Sequence, residues 1–223
     1  MTIKNIFFDI DDTLFPSSEF AELARKNAIR AMIEIGLEQP QDKLYSMLLR
    51  IIKRKGSNYS GHFDDLCKEL HIKNPSRYVA AAIAAYHNAK TSILPYPEVP
   101  RTLLKLREEG YKIYVATNGD SVKQWDKLIR LGIEHYFQDV FVSEEIGEEK
   151  SPGFFRKVLK RISAKPHECV MVGDREDKDI LPAKSVGIKT IKVRRGKYAK
   201  GKTAAYIELK NLENLPAIIK NIR

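Results

Sequence analysis

The sequence lacks the features that mark secreted or membrane-spanning proteins. It contains only two cysteines, Cys67 and Cys169, and their wide separation favours buried thiols in a reduced compartment over a disulfide framework. No apolar run approaches the roughly 20 residues that a membrane-spanning helix needs, and no charged-then-apolar leader opens the chain. We therefore expect a cytoplasmic protein with no signal peptide, no membrane partner and no cysteine nucleophile.

Acidic residues are scarce near the end of the chain. The formal net charge is +10, and residues 189–223 alone hold ten Lys and Arg against two acids, centred on the run 194–197. No aromatic interleaving or known binding motif accompanies this charge, so a nucleic-acid partner is not favoured. We predict a solvated basic face, whose field could also attract an anionic substrate.

Short apolar segments alternate with helical patterns over most of the chain, which predicts a parallel sheet covered on both faces. The predicted strands are residues 3–9, 111–117, 138–142, 168–173 and 188–193. Residues 16–94 break this rhythm, because they contain about four helical patterns and no convincing strand. We predict an α/β fold with a Rossmann-like three-layer core, residues 1–15 and 95–223, and an inserted all-helical domain, residues 16–94.

Two carboxylates follow the first predicted strand. Asp9 and Asp11 come after the apolar run 6–8, and residues two apart on a strand share a face. Crowded carboxylates repel unless a metal ion, a proton or a cationic group relieves them. A capping cluster at a strand-to-helix turn is the alternative interpretation. Asp12, between them and the next helix, is interpreted as an exposed spacer.

Three later strand ends carry polar residues too. Thr117 and Asn118 follow the second strand, Lys150 follows the third, and Asp174 and Asp179 follow the fourth. Functional groups of open parallel sheets gather at the carboxyl ends of the strands, so we expect these side chains at one edge. Two further acids of the fourth segment, at positions 176 and 177, are interpreted as exposed spacers.

The segments FFDIDDTL, VATNG and VGDREDKDI occur in this order at the strand ends. In this respect the chain resembles the haloacid dehalogenase-like hydrolases, subfamily I, over essentially its whole length, and in particular archaeal phosphatases of that group. The resemblance implies that residues 16–94 are a helical cap, that Mg²⁺ is the cofactor, and that the substrate is a small phosphorylated metabolite. Glyceraldehyde 3-phosphate, or another sugar or triose phosphate, is the substrate it suggests.

The resemblance also implies roles for the acids. Asp9 would attack phosphorus and form an aspartyl-phosphate, and Asp11 would protonate the leaving oxygen and later activate water. Mg²⁺ would be held by the carboxylates of Asp9 and Asp174 and by the backbone carbonyl of Asp11. Asp179 would hold the second shell or touch the ion, and Thr13 would brace the loop.

The resemblance further implies that residues after the second and third predicted strands recognise the phosphate. Thr117, with the backbone amides of Asn118 and Gly119, would bind phosphate oxygens, and Lys150 would bind phosphate and hold the carboxylates together. Family members usually carry proline directly after this lysine, whereas Ser151 intervenes here. Alignment on the following proline would place Glu149 at the lysine position, while a one-residue loop deletion keeps Lys150 there; we favour the deletion.

Two other functions remain open at this point. A sugar-phosphate mutase would share the sheet and the acids, and a non-catalytic binding protein could keep the fold without turnover. The acid at position 11 argues against a haloacid dehalogenase, which does not need it. The full set of acids at positions 9, 11, 174 and 179 favours the phosphatase.

Overall fold

The computed structural model describes residues 2–57 and 59–222, which form two compact units. One unit comprises Met1–Ser18 and Leu94–Arg223, and the other comprises Glu19–Ile93. The first contains every strand found in the described residues, and the second is helical. No helix within these residues is long and apolar enough to cross a membrane. The role of the helical unit as a cap stays a prediction.

The first unit is built on a six-stranded, wholly parallel sheet with strand order β3-β2-β1-β4-β5-β6. This confirms the predicted α/β class. The strands are β1 Asn5–Phe8, β2 Lys112–Thr117, β3 Asp139–Val142, β4 Cys169–Gly173, β5 Lys189–Val193 and β6 Ile207–Leu209. The sixth strand was not predicted, because three residues are too few for an alternation of apolar and polar side chains to stand out. The sequence pattern also predicts one helix over residues 209–221, whereas the observed helix, Leu215–Asn221, occupies only the second half of that range.

Helices flank the sheet in the order that the alternating pattern requires. They are α5 Val99–Glu108, α6 Ser121–Arg130, α7 Ser143–Ile146, α8 Pro152–Arg161, α9 Leu181–Ser185 and α10 Leu215–Asn221. A π-helical turn, Glu176–Ile180, precedes α9. On one face of the sheet, Phe7, Met171 and Phe141 pack with Phe154 and Phe155 of α8 in a fully buried cluster. Each such side chain removed from water stabilises the fold by about 1.5–3 kcal/mol.

The helical unit has a core of its own. Its helices are α1 Ser17–Glu34, which begins in the first unit, α2 Gln41–Lys55, α3 His62–Glu69 and α4 Ser76–Ala89. On α2 the residues Leu44, Leu48 and Ile51 are buried at helical spacing, and they form one apolar stripe. The stripe packs with Met32 of α1 and Leu66 of α3.

The register of the sheet decides which residues reach its carboxyl edge together. Phe8, the last residue of β1, pairs with Val115 of β2 and with Val172 of β4. The strands β1, β2 and β4 end at Phe8, Thr117 and Gly173, so the residues after each of these three positions emerge at the same edge of the sheet. Side chains that are far apart in sequence are collected there without any long loop.

Candidate active site

The segment after β1 is a tight turn rather than a continuation of the strand. Asp9 still donates its N–H to the carbonyl of Val172 at 2.9 Å, but Leu14 then turns back to donate to the carbonyl of Ile10 at 2.9 Å. Asp12, at the tip, has φ +52°, in the left-handed region that Asp tolerates better than most residues. The strand ends at Phe8, so the turn and not strand alternation directs Asp9 and Asp11; the two still lie near enough for Asp11 to raise the pKa of Asp9.

Asp12 is buried, which corrects its interpretation as an exposed spacer. Its Oδ1 accepts the backbone N–H of Ser18 at 2.9 Å, and its other oxygen accepts the Ser18 hydroxyl. Asp12 therefore satisfies a free donor in the first turn of α1. The neighbouring Thr13 is also buried, and its hydroxyl has no hydrogen-bond partner among the described residues. Its carbonyl accepts from Arg195 at 3.0 Å.

Four charged side chains meet below this turn. One carboxylate oxygen from each of Asp9, Asp174 and Asp179 lies within 4.8 Å of the others, and all three residues are buried. Lys150, only 4% exposed, donates to Asp9 Oδ1 at 2.5 Å and also to Asp179 Oδ1. Glu149 is exposed instead, and its carboxylate accepts from the partly buried Lys178. Lys150, and not Glu149, is therefore the residue that contacts the carboxylates.

The cluster holds more negative charge than its one lysine offsets. Burial raises the pKa of Asp9 to about 7, against the lowering by Lys150, and Asp179 and Asp11 add to the rise. Burial also raises the pKa of Asp174 to about 9, and the nearby Asp9 and Asp179 contribute. Burial alone would lower the pKa of Lys150, but Asp179 and Asp9 outweigh it and raise it. Both acid shifts report a site that favours an additional cation.

The hydrogen bonds distinguish the acids that are available to a metal ion. Asp179 is already paired at both oxygens, because Oδ1 accepts from Lys150 and Oδ2 accepts the backbone N–H of Arg175 at 2.9 Å. Asp174 accepts no hydrogen bond from residues 2–57 or 59–222, although it is only 2% exposed. Hard divalent cations prefer such carboxylate oxygens. The donor set therefore fits a divalent cation, with Asp9 and Asp174 as the available ligands.

The π-helical turn after β4 carries Asp179 into the cluster. A side chain at Gly173 would meet the Asp179 carboxylate at 2.4 Å, so only glycine leaves it room. Glu176 was interpreted as an exposed spacer, but its carboxylate accepts from Ala204 N at 2.7 Å and from the buried Lys192 at 3.4 Å. Asp177 is exposed, as expected, and pairs with Arg175 at 2.6 Å.

The basic end of the chain is less solvated than predicted. Arg195 is largely buried, where it binds Glu98 and the carbonyl of Thr13 and lies 3.8 Å from the ring centre of Tyr96. Arg195 and the buried Lys192 thus form ion pairs that connect segments within the first unit. These two residues are thus removed from the solvated face that the charge count suggested.

The second motif is held by side chains of its neighbours. Asn118 accepts the backbone N–H of Lys150 with its Oδ1 at 2.7 Å. The Gly119 amide, expected to face phosphate, donates to Ser143 Oγ at 2.9 Å instead. The Thr117 hydroxyl is buried and donates to Gln124 Oε1 at a long 3.3 Å. The loop is therefore preorganised by protein contacts.

Two residues of α6 were missed by the sequence reasoning. Lys127 donates to Asp11 Oδ1 at 2.6 Å and to Gln124 Oε1 at 3.1 Å. The available signal was a pair of polar side chains three positions apart, which lie on one face of a helix, within the segment that follows the VATNG motif. Gln124 is buried on that face.

Comparison with known proteins agrees with this arrangement. The chain is similar to glyceraldehyde 3-phosphate phosphatases of Methanopyrus kandleri, 52% identical over 88% of this chain and 86% of that protein, and of Methanocaldococcus jannaschii, 45% identical over 99% of each. Its fold is similar to a putative beta-phosphoglucomutase of Thermotoga maritima, with a TM-score of 0.77, 19% identity and coverage of 99% and 100% of the two chains. The model of the haloacid dehalogenase-like hydrolases matches residues 3–187. The resemblance predicted from the motifs is thereby confirmed, and the chain belongs to the haloacid dehalogenase-like hydrolase family.

Proposed function

We propose that this protein is a Mg²⁺-dependent phosphatase that hydrolyses a small phosphate monoester, with glyceraldehyde 3-phosphate or another sugar or triose phosphate as its substrate. The observation that carries the proposal is the buried set of Asp9, Asp174, Asp179 and Lys150, with Asp11 beside it. The relatives named glyceraldehyde 3-phosphate phosphatase, 45–52% identical, support the substrate class.

Asp9 is the nucleophile in this scheme. Lys150 fixes one carboxylate oxygen at 2.5 Å, and the second accepts no hydrogen bond from the described residues. That second oxygen attacks phosphorus while the bond between phosphorus and the ester oxygen breaks, and an aspartyl-phosphate results. Because Asp9 is buried and its position is fixed by Lys150, little reorganisation precedes the attack.

Asp11 carries the proton. It gives a proton to the ester oxygen as that oxygen leaves, and it later takes one from the water that hydrolyses the aspartyl-phosphate. Its side chain is 43% exposed, in contrast to the buried Asp9, which suits a group that must meet both the leaving alcohol and water.

Phosphate and cation are held by the surrounding groups. Mg²⁺, when bound by Asp9, Asp174 and the carbonyl of Asp11, would neutralise phosphate oxygens that otherwise repel the nucleophile. Thr117 turns its hydroxyl proton from Gln124 to a phosphate oxygen, which loses only a 3.3 Å hydrogen bond. Lys150 adds the remaining positive charge, and Asn118 holds the backbone of that lysine.

The test is phosphate release from glyceraldehyde 3-phosphate, measured with Mg²⁺ and with EDTA. We expect turnover only with Mg²⁺, and its loss in Asp9→Asn. Beryllium trifluoride, which mimics a phosphoryl group on a carboxylate, should bind the wild type with Mg²⁺ and not the Asp9→Asn variant. Turnover that survives Asp9→Asn would refute the nucleophile. Isomerisation of a sugar phosphate without phosphate release would identify a mutase, and binding without turnover would identify a non-catalytic protein.

We also infer that the protein works in the cytoplasm, on a metabolite and not on nucleic acid. Cys67 and Cys169 are both free and buried, which suits a compartment that keeps thiols reduced. Lys192 and Arg195 of the basic segment are engaged inside the protein, which lowers the charge it offers to a polyanion.

A further inference from the structure

Lys127 is the one described residue whose side chain pairs with Asp11. Its Nζ lies 2.6 Å from Asp11 Oδ1, and the carboxylate has no other side-chain hydrogen bond or ion pair in residues 2–57 and 59–222. Asp11 projects from a turn and is nearly half exposed. Without Lys127 its χ angles would therefore be free to sample several rotamers.

Lys127 is itself held from three sides. Its ammonium group donates to Asp11 and to Gln124 Oε1, and it lies 5.6 Å from the ring centre of Phe15. Its side chain is only 18% exposed. A lysine fixed in this way loses less entropy on pairing than a freely solvated one, so this contact differs from an ordinary surface ion pair.

The contact is also continuous with the phosphate-binding motif. Gln124 Oε1 accepts from Lys127 and, until Thr117 turns to phosphate, also from Thr117, so α6 lies beside both the group proposed to bind phosphate and the group proposed to carry the proton. A side chain at Gly119 would meet Gln124 Nε2 at 2.6 Å, so the amide packs against the turn after β2 and has little freedom. One helix face thus contacts both groups.

We propose that Lys127 is a positioning residue that holds Asp11 in line with the leaving-group oxygen, and that it thereby enables this enzyme to cleave alkyl phosphates. This inference rests on the proposed phosphatase function. As the bond from Asp9 to phosphorus forms and the ester bond breaks, the proton of the Asp11 carboxyl passes to the departing alkoxide. Lys127 exchanges no proton in this step and acts through the orientation of Asp11.

The inference makes the need for Lys127 depend on the leaving group. An alkoxide, as from glyceraldehyde 3-phosphate, must be protonated as it departs, whereas p-nitrophenolate leaves as a stable anion. General acid catalysis contributes about 10²- to 10⁴-fold, so Lys127→Met should lower kcat/KM for glyceraldehyde 3-phosphate by about 10²-fold. For p-nitrophenyl phosphate the fall should stay within about threefold, because the acid is not needed there.

The experiment measures kcat/KM of the full chain with Mg²⁺ on both substrates, since kcat/KM reports the first irreversible step, in which the leaving group departs. The variants are Lys127→Met, Lys127→Arg as the conservative rescue, and Lys123→Met as a matched control on the exposed face of α6. We expect Lys127→Met to change the ratio of the two kcat/KM values, Lys127→Arg to restore most of it, and Lys123→Met to leave it unchanged. In an Asp11→Asn background, Lys127→Met should cause no further fall in kcat/KM for glyceraldehyde 3-phosphate.

Equal losses on both substrates would mean that Lys127 only supports the fold, and would overturn the inference. The same conclusion would follow if Lys127→Met kept its full effect in the Asp11→Asn background. Activity on p-nitrophenyl phosphate also reports that the variant is folded. A wild-type protein that hydrolyses neither ester would instead refute the proposed phosphatase, and the inference would fall with it.

Discussion

Replacement of Asp174 by asparagine should stabilise the metal-free protein although it removes activity. Asp174 is buried, accepts no hydrogen bond from the described residues, and faces Asp9 and Asp179. An ionised carboxylate in that position is destabilising unless a cation compensates it. Asparagine keeps the shape of the side chain and removes the charge.

The magnitude and the pH window follow from the pKa of Asp174. Its folded value, about 9, lies above the ordinary value of 3.8, so between these values the folded protein binds more protons than the unfolded chain. The free energy of unfolding of the metal-free protein therefore falls as the pH rises through this window. At pH 8 the shifted pKa of Asp174 lowers the free energy of unfolding by on the order of 5 kcal/mol. This value is the upper limit for the increase in the free energy of unfolding that Asp174→Asn can produce. A gain of a few kcal/mol corresponds to a Tm rise of about 5–10 °C for a chain of this length.

Thermal unfolding followed by circular dichroism, in EDTA between pH 5 and pH 9, measures this effect. The Tm of the variant should exceed that of the wild type by more as the pH rises. Saturating Mg²⁺ should reduce or reverse this Tm difference, because only the wild type is fully stabilised by binding the ion. Asp177→Asn, an exposed acid on the same segment, is the matched control and should change stability by less than about 1 kcal/mol. A variant that is less stable than the wild type in EDTA at pH 8 would contradict the idea of an uncompensated buried charge.

Three further predictions test other parts of the molecule. Lys150→Met should destabilise the metal-free protein by about 3–5 kcal/mol and abolish phosphate release, because two buried carboxylates lose their cationic partner. Glu149→Gln should change stability and phosphate release by little. Denaturant unfolding and a turnover assay measure these two effects. Asp12→Ala should cost about 1 kcal/mol in a denaturant titration by uncapping α1, and Asp12→Asn should cost less. Burial raises the pKa of Cys67 to about 11 and that of Cys169 to about 12, so a thiol reagent at pH 8 should modify both only after unfolding; fast labelling of the native protein would show that a thiol is accessible.

The parallel sheet could be predicted because each strand is a short apolar run followed by its polar residues. The core strands were expected within one or two residues of their observed ends, and the edge strand β6 was missed because its residues alternate over too short a span. Sequence could not order the three acids of the first motif by burial. The left-handed turn at Asp12 decides the order: it buries Asp12, which caps α1, and leaves the Asp11 side chain 43% exposed.

The contacts of α6 lay beyond sequence reasoning for a different reason. Helical periodicity places Gln124 and Lys127 on one face, but only the packing of α6 against the turn after β1 brings Lys127 to Asp11. Motifs record residues that are close along the chain, whereas a residue that orients another group is found through the fold. The same limit applied to Glu176 and Lys192, whose pairing spans the end of β4 and β5.

The unequal treatment of the three buried acids is the strongest sign that the site serves function at the expense of stability. Asp179 is paired at both oxygens and Asp9 at one, while Asp174, equally buried, receives no donor from the described residues. A fold selected for stability alone would neutralise or replace such a group, since an apolar or amide side chain would fit without the cost of desolvation. The progression from two donors to none instead matches an arrangement in which Lys150 holds Asp179 and Asp9 and leaves the carboxylate of Asp174 free for a cation.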